Sequence, residues 1–78
     1  MHEITVKPSA AATGWVIEHP RAHSGTYHSG AAAEAAALGL ARRIARTGAQ
    51  VRTTVLLRDG SVGGVVLTDP ADVDQGSA

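Results

Sequence analysis

Apolar and polar side chains alternate along several short stretches of the chain, which is the period of β-strands. Ile4–Lys7 alternates before a proline, and Trp15–Glu18 combines aromatic and β-branched residues. Val51–Arg58 alternates most clearly, and Val62–Leu67 follows it after an Asp-Gly turn signal. With Thr26–His28 as a short additional strand, the pattern predicts four or five strands.

The segment between the third and fourth of these strands has the spacing of an amphipathic helix. Ala31–Arg46 consists mostly of strong helix formers, Ser29 is a suitable N-cap, and Gly48 is suited to follow the helix end. One face of this helix carries Ala33, Ala36, Ala37, Leu40, Ala41 and Ile44. Because most of these side chains are small, we expect the helix to approach a sheet closely.

These elements follow one another in the order βββ-α-ββ. We therefore predict an α+β fold, with a single antiparallel-type sheet of four to five short strands and one amphipathic helix on one face. The 78 residues allow one small domain, which we place at residues 1–68. Residues 69–78 contain aspartate, glycine and proline without a period, and we expect them to form an acidic, flexible C-terminal tail.

Apolar side chains fall on both faces of two predicted strands, although only one helix is available to cover the sheet. Leu56 lies opposite its apolar neighbours on the fourth strand, and Trp15 and Val16 are consecutive on the second. Leu38 lies off the buried stripe of the helix. We interpret these four residues as a self-association surface and expect a homodimer through the uncovered face. The alternative is a curled sheet, or a tail that covers this face within one chain.

Composition narrows the classes of protein to which the chain can belong. Seven basic and seven acidic side chains give a formal net charge of zero, which excludes nucleic-acid binding by bulk charge. No cysteine is present, so disulfides and thiolate metal sites are excluded and a cytoplasmic location is expected. No apolar run approaches the ~18–20 residues that span a bilayer, and we expect no membrane association.

The charges are nevertheless distributed unevenly. Residues 29–58 carry five arginines and one glutamate, whereas residues 59–78 carry four aspartates and no basic residue. The arginines, which could hold phosphates in bidentate geometry, are Arg42, Arg43, Arg46, Arg52 and Arg58. They motivate an alternative function as a nucleic-acid-binding module, although aromatic side chains for base stacking are nearly absent.

Three histidines near the second and third strands suggest a second alternative, a small metal-binding protein. His19, His23 and His28 could contribute imidazoles, with Glu18 as a fourth ligand. Their spacing suits a helix better than a loop broken by proline and glycine, so exposed loop histidines are the simpler interpretation. We assign no metal ligand and expect no cofactor. Gly60–Gly64 lacks the lysine of a phosphate-binding loop and favours a hairpin turn with a bulge.

The sequence contains no recognisable catalytic arrangement. A nucleophile–base pair needs a hydroxyl near a histidine that a carboxylate orients, and Ser24 and Ser29 only neighbour histidines in sequence. The glutamates are scattered, and the aspartates fall in a turn and in the tail. We assign no catalytic residue and predict a non-enzymatic, self-associating binding or interaction module.

Several short motifs occur in an order that a known family shares. They are Val6-Lys7-Pro8, Gly14-Trp15-Val16-Ile17, Ser29, Glu34-Ala35, Leu40–Ala45, Gly48 and Asp59-Gly60. Over roughly residues 3–62 the chain resembles a family of small bacterial proteins called domain of unknown function 2188. The resemblance implies a βββ-α-β fold and a cytoplasmic bacterial protein, and it carries over no catalytic or binding residue. The chain departs from the family in its fifth strand, its acidic tail and its more apolar fourth strand.

Overall fold

A computed structural model of the chain describes residues 1–9, 14–19, 22–23 and 26–71. These residues contain a single helix and one five-stranded sheet. In chain order the elements are β1 (His2–Pro8), β2 (Trp15–His19), β3 (Ala22–His23), α1 (Gly30–Ala45), β4 (Val51–Leu56) and β5 (Val62–Thr68). The predicted α+β class is thereby confirmed.

The strands lie in the order β3-β2-β1-β4-β5, so that β1 is the central strand and β5 is one edge. β1 runs antiparallel to β2 but parallel to β4, and β5 returns antiparallel to β4. The sheet is therefore mixed, and the predicted antiparallel-type sheet is wrong. The reason is α1, which connects β1–β3 to β4. Its 16 residues span about 24 Å, the length of a strand, and return the chain along the sheet. β4 consequently begins at the end of the sheet where β1 begins.

The third strand lies earlier in the chain than predicted. β3 consists of Ala22–His23 and pairs antiparallel with the end of β2. The predicted segment Thr26–His28 contributes only an isolated bridge, in which Tyr27 and Trp15 exchange two backbone hydrogen bonds of 2.7 and 2.8 Å. The prediction of a strand over Thr26–His28 is therefore wrong. Tyr27 is a residue type that favours strands, but this segment pairs with β2 at a single residue.

α1 lies across one face of the sheet and buries a stripe of small side chains against it. Four alanines that recur every four residues are fully buried: Ala33, Ala37, Ala41 and Ala45. The largest side chains buried beneath the helix are Ile4, Val6, Val51 and Thr53. Ala36, Leu40 and Ile44 pack against this core from the flanks of α1. The predicted apolar face of the helix is confirmed.

The helix begins and ends within one residue of its predicted bounds. Ser29 is the N-cap, and its Oγ accepts a hydrogen bond of 3.1 Å from the Ala32 N–H. The absence of a side chain at Gly30 makes room for Trp15, because a Cβ at position 30 would lie 3.2 Å from the indole. At the other end Gly48 has a φ of 98°, which suits the residue after a helix.

The first residues of the predicted tail contact the body of the protein. Gln50 Nε2 donates to Asp69 Oδ2 at 3.3 Å, and the Ala71 N–H donates to Asp69 Oδ1 at 3.0 Å. The rest of the predicted tail, residues 72–78, lies outside the described residues, and the domain boundary at residue 68 stays a prediction. In the described part of the chain, no helix is long and apolar enough to cross a membrane.

Candidate functional site

The face of the sheet opposite α1, which we call the open face, carries charged side chains that pair with one another. Lys7 Nζ lies 2.9 Å from Glu18 Oε2, which joins β1 to β2. Arg52 on β4 donates from Nε to Glu3 Oε1 on β1 at 2.9 Å. All four side chains are at least 40% exposed, so each pair contributes little to stability. The centre of the open face is therefore polar and balanced in charge.

β5 differs from this centre because its exposed side chains are apolar. Val62, Val65 and Leu67 are 59%, 52% and 63% exposed, and we call these three residues the β5 patch. The register with β4 pairs Val65 with Thr54 and Leu67 with Arg52, so both apolar side chains lie on the open face. No residue of β5 is charged. The open face is consequently apolar along the edge that β5 forms.

The backbone of β5 also presents hydrogen-bonding groups, and their direction follows from the sheet. The His2 N–H donates to the Gln50 carbonyl at 2.9 Å, which directs the peptide groups of Gln50 and every second residue after it towards β1. The intervening residues of β4 bond to β5, where their register partners include Val66. The N–H and C=O groups of Val65 and Leu67 therefore point away from the sheet. Within the described residues, β5 pairs with β4 alone.

A tight turn and a bulge set the start of β5. Gly60 has a φ of 87°, and Asp59 Oδ1 accepts hydrogen bonds from the Ser61 N–H at 2.9 Å and from Ser61 Oγ at 2.6 Å. These bonds, the one from the hydroxyl above all, hold the pKa of Asp59 below its ordinary value because they favour the carboxylate. The β4–β5 register shifts beside Gly63, where a Cβ would lie 2.7 Å from Leu57 Cδ2. The predicted turn and bulge are confirmed.

Two of the four predicted self-association residues lie on the open face. Val16 and Leu56 are half-buried there, on β2 and β4. Trp15 lies on the side of β2 that also carries the buried Ile17, and it packs against the core beneath α1. The expectation that Trp15 belongs to the open face is therefore wrong. Leu38 is half-buried on α1, in the layer opposite the open face.

The five predicted polyanion-binding arginines do not form one surface. Arg42, Arg43 and Arg46 are exposed at the C-terminal end of α1. Arg52 lies on the opposite side of the molecule, where it pairs with Glu3 on the open face. The helix and the open face are separated by the sheet itself, so the helix arginines and Arg52 do not share one surface.

Arg58 lies near the other end of α1. Its guanidinium carbon is 5.8 Å from the centroid of the Trp15 ring, a cation–π contact. Because Trp15 packs against Gly30 at the start of α1, Arg58 is roughly one helix length, about 24 Å, from Arg46. The predicted basic surface is therefore reduced to the three arginines at the end of α1.

The histidines also belong to different elements of the fold. His19 stacks on His2, with ring centroids 5.9 Å apart, while His28 is exposed before the helix. The backbone of His23 belongs to β3, while its side chain lies outside the described part of the structure. Glu18 pairs with Lys7. Among the side chains that the structure describes, no group of three or more potential metal ligands could hold an ion. The described side chains therefore do not assemble the predicted ligand set, and the metal-binding alternative stays a prediction.

Comparisons of the chain with models of protein families, with curated proteins and with solved structures find no match. The resemblance to domain of unknown function 2188 therefore stays a prediction. The candidate site rests on the geometry of the chain itself.

The β5 patch is not among the site residues predicted from the sequence. Its signal in the sequence is an uncharged apolar run, Val65-Val66-Leu67, after an Asp-Gly turn. Such a run is equally typical of a strand in the middle of a sheet. It becomes an exposed surface because β4 pairs with β1 on its other side, which leaves β5 at the edge.

Proposed function

We propose that this protein is a small, non-enzymatic interaction module that self-associates through its sheet. The observation that supports the proposal is the β5 patch, which combines three exposed apolar side chains with outward-pointing backbone groups on an uncharged edge strand. Together these groups offer both of the contributions that join two sheets edge to edge, namely burial of apolar area and a ladder of backbone hydrogen bonds.

The contrast with the other edge of the sheet supports the same proposal. Proteins usually protect an edge strand by keeping it short or by placing lysine or proline on it. β3 has only two residues, whereas β5 has seven and carries neither lysine nor proline. The bulge of β5 lies at Gly63, outside its outward-facing pair Val65 and Leu67. A small domain also buries a limited part of its surface alone, and self-association adds to that burial. As part of this proposal the protein acts in the cytoplasm, in keeping with its lack of cysteine.

Sedimentation velocity of the full chain over a range of micromolar concentrations tests the proposal. We expect a concentration-dependent dimer in the wild type. Val65→Lys places a charge in the β5 patch and should weaken association at least about tenfold, because burial of two valines is lost per dimer. Ala35→Lys adds the same charge on the exposed side of α1 and should leave association unchanged. A wild-type chain that stays monomeric at every concentration contradicts the proposal.

A second candidate function is binding of a nucleic acid by the end of α1. Arg42, Arg43 and Arg46 are exposed there, and none of them forms an ion pair with a described residue. Retention on immobilised DNA or RNA should fall steeply as salt rises, and Arg42→Ala combined with Arg46→Ala should reduce it. Arg52→Ala, on the other side of the molecule, is the matched control. Equal retention of both variants would rule this function out.

A further inference from the structure

We propose that the partner of the β5 patch is a second copy of this chain, which binds by antiparallel pairing of β5 with its own equivalent. This inference rests on the proposed self-association and specifies its geometry. The two sheets would join edge to edge around a twofold axis perpendicular to the sheet. That operation keeps both helices on one side and merges the two open faces into one surface across ten strands.

The direction of the backbone groups selects the register. Val65 and Leu67 point their N–H and C=O groups outwards, so a reciprocal pair of hydrogen bonds forms when Val65 of one copy faces Leu67 of the other. The twofold axis then passes beside Val66, which faces itself. Two such pairs give four hydrogen bonds, and they bring Val65 and Leu67 of the two copies together on the open face.

The distribution of charge supports a second copy as the occupant. In this register Asp69, the first charged residue after β5, falls opposite the uncharged Gly63 of the other copy. β5 itself is uncharged, and the chain has a formal net charge of zero. The neighbouring charges of the open face are already paired within each copy, as Arg52 is with Glu3. Within β5 itself, which the structure describes in full, no charged side chain repels a second copy or selects a partner of opposite charge.

Disulfide trapping tests the register, and the natural chain has no cysteine to interfere. In the proposed dimer Val66→Cys places two Cα atoms about 4.5 Å apart across a non-hydrogen-bonded pair, which suits a disulfide. Leu56→Cys reports on an alternative in which the open faces stack on each other. Ala35→Cys on the outer side of α1 reports on random collision. Each full-length variant is oxidised and followed by non-reducing electrophoresis.

We expect Val66→Cys to form a covalent dimer at least about tenfold faster than the other two variants, because only its thiols are held at bonding distance. Faster reaction of Leu56→Cys overturns the edge-to-edge geometry and leaves the proposed self-association intact. If the wild type sediments as a dimer but Val66→Cys does not cross-link preferentially, the inference is likewise overturned. If the wild type is a monomer, the inference and the proposed function fail together.

Paired charges provide a second test that does not depend on cysteine chemistry. In the proposed register the side chains at positions 65 and 67 face each other across the twofold axis. Val65→Lys combined with Leu67→Glu therefore places opposite charges opposite one another, whereas Val65→Lys combined with Leu67→Lys places like charges there. The first double variant should dimerise about tenfold more tightly than the second at low salt, and high salt should narrow the difference. Equal dissociation constants would overturn the register.

Discussion

The two faces of the sheet are stabilised in different ways. Under α1, apolar side chains of β1 and β4 are fully buried against a stripe of alanines, and the largest of them include Ile4 and Val6. On the open face the centre holds two exposed ion pairs, and the edge holds the β5 patch. Burial in the covered face holds the fold together, whereas the open face has apolar area left over at β5. The comparison indicates that stability and association reside on opposite sides of one sheet.

The largest expected effect comes from a matched pair of valines. Val6→Ala leaves a cavity in the covered face and should lower the free energy of unfolding by about 2–3 kcal/mol. Val65→Ala removes the same atoms from an exposed position and should cost less than about 0.5 kcal/mol in the monomer. Urea denaturation at low protein concentration measures both. Equal losses would show that the covered face does not dominate stability.

A similar contrast is expected for two alanines on α1. Ala37 is fully buried against the sheet, and Ala37→Leu should destabilise the fold by about 1–3 kcal/mol because the helix must move away. Ala35→Leu, on the exposed side of the same helix, should change stability little since leucine is also a good helix former. Thermal unfolding distinguishes them. A tolerated leucine at position 37 would contradict the close approach of helix and sheet.

A smaller effect of opposite sign is expected at Thr53. Its Oγ1 is fully buried under α1 and has no hydrogen-bond partner among the residues described. Thr53→Val removes this polar atom at nearly constant shape and should raise the free energy of unfolding by about 1 kcal/mol. Thr54→Val, on the half-buried open side of β4, should change it by less than about 0.5 kcal/mol. Destabilisation by Thr53→Val would show that the hydroxyl has a bonding role.

The smallest effect concerns the turn before β5. The pKa of Asp59 is lowered by its hydrogen bonds to Ser61, so this carboxylate stabilises the fold above its unfolded pKa, whose reference value is 3.8. That contribution is lost as the pH falls through the lower folded pKa. Ser61→Ala should raise the pKa of Asp59 towards 3.8, as measured by NMR titration of its carboxyl carbon. An unchanged titration would show that the Ser61 hydroxyl does not bind the carboxylate.

The local features of this fold could be predicted from the sequence, whereas the pairing of its strands could not. The alanine period, the serine cap and the Asp-Gly turn act within a few residues, and the structure places each of them as predicted. The parallel pairing of β1 with β4 joins segments nearly fifty residues apart, such as Ile4 and Thr53, and no local pattern specifies it. The face of β2 on which Trp15 lies is likewise decided by tertiary packing, because that face is the one that α1 covers.

The candidate site was missed for the same reason. The apolar run predicts a strand over Val62–Leu67, but whether this strand is central or at the edge depends on which strand pairs with β4 on the other side. The arginine surface shows the converse error. Arg46 and Arg52 are close in sequence, but the turn between α1 and β4 separates them. Arg46 therefore lies in the helix layer and Arg52 on the open face of the sheet.

The most direct test of the central claim is amide hydrogen exchange along β5 at low and high protein concentration. The Val66 N–H faces β4 and should be protected at both concentrations, whereas those of Val65 and Leu67 face outwards. We predict that the amides of Val65 and Leu67 exchange rapidly in dilute solution and become protected as the concentration rises. Rapid exchange of these two amides at every concentration would contradict self-association through the edge of the sheet.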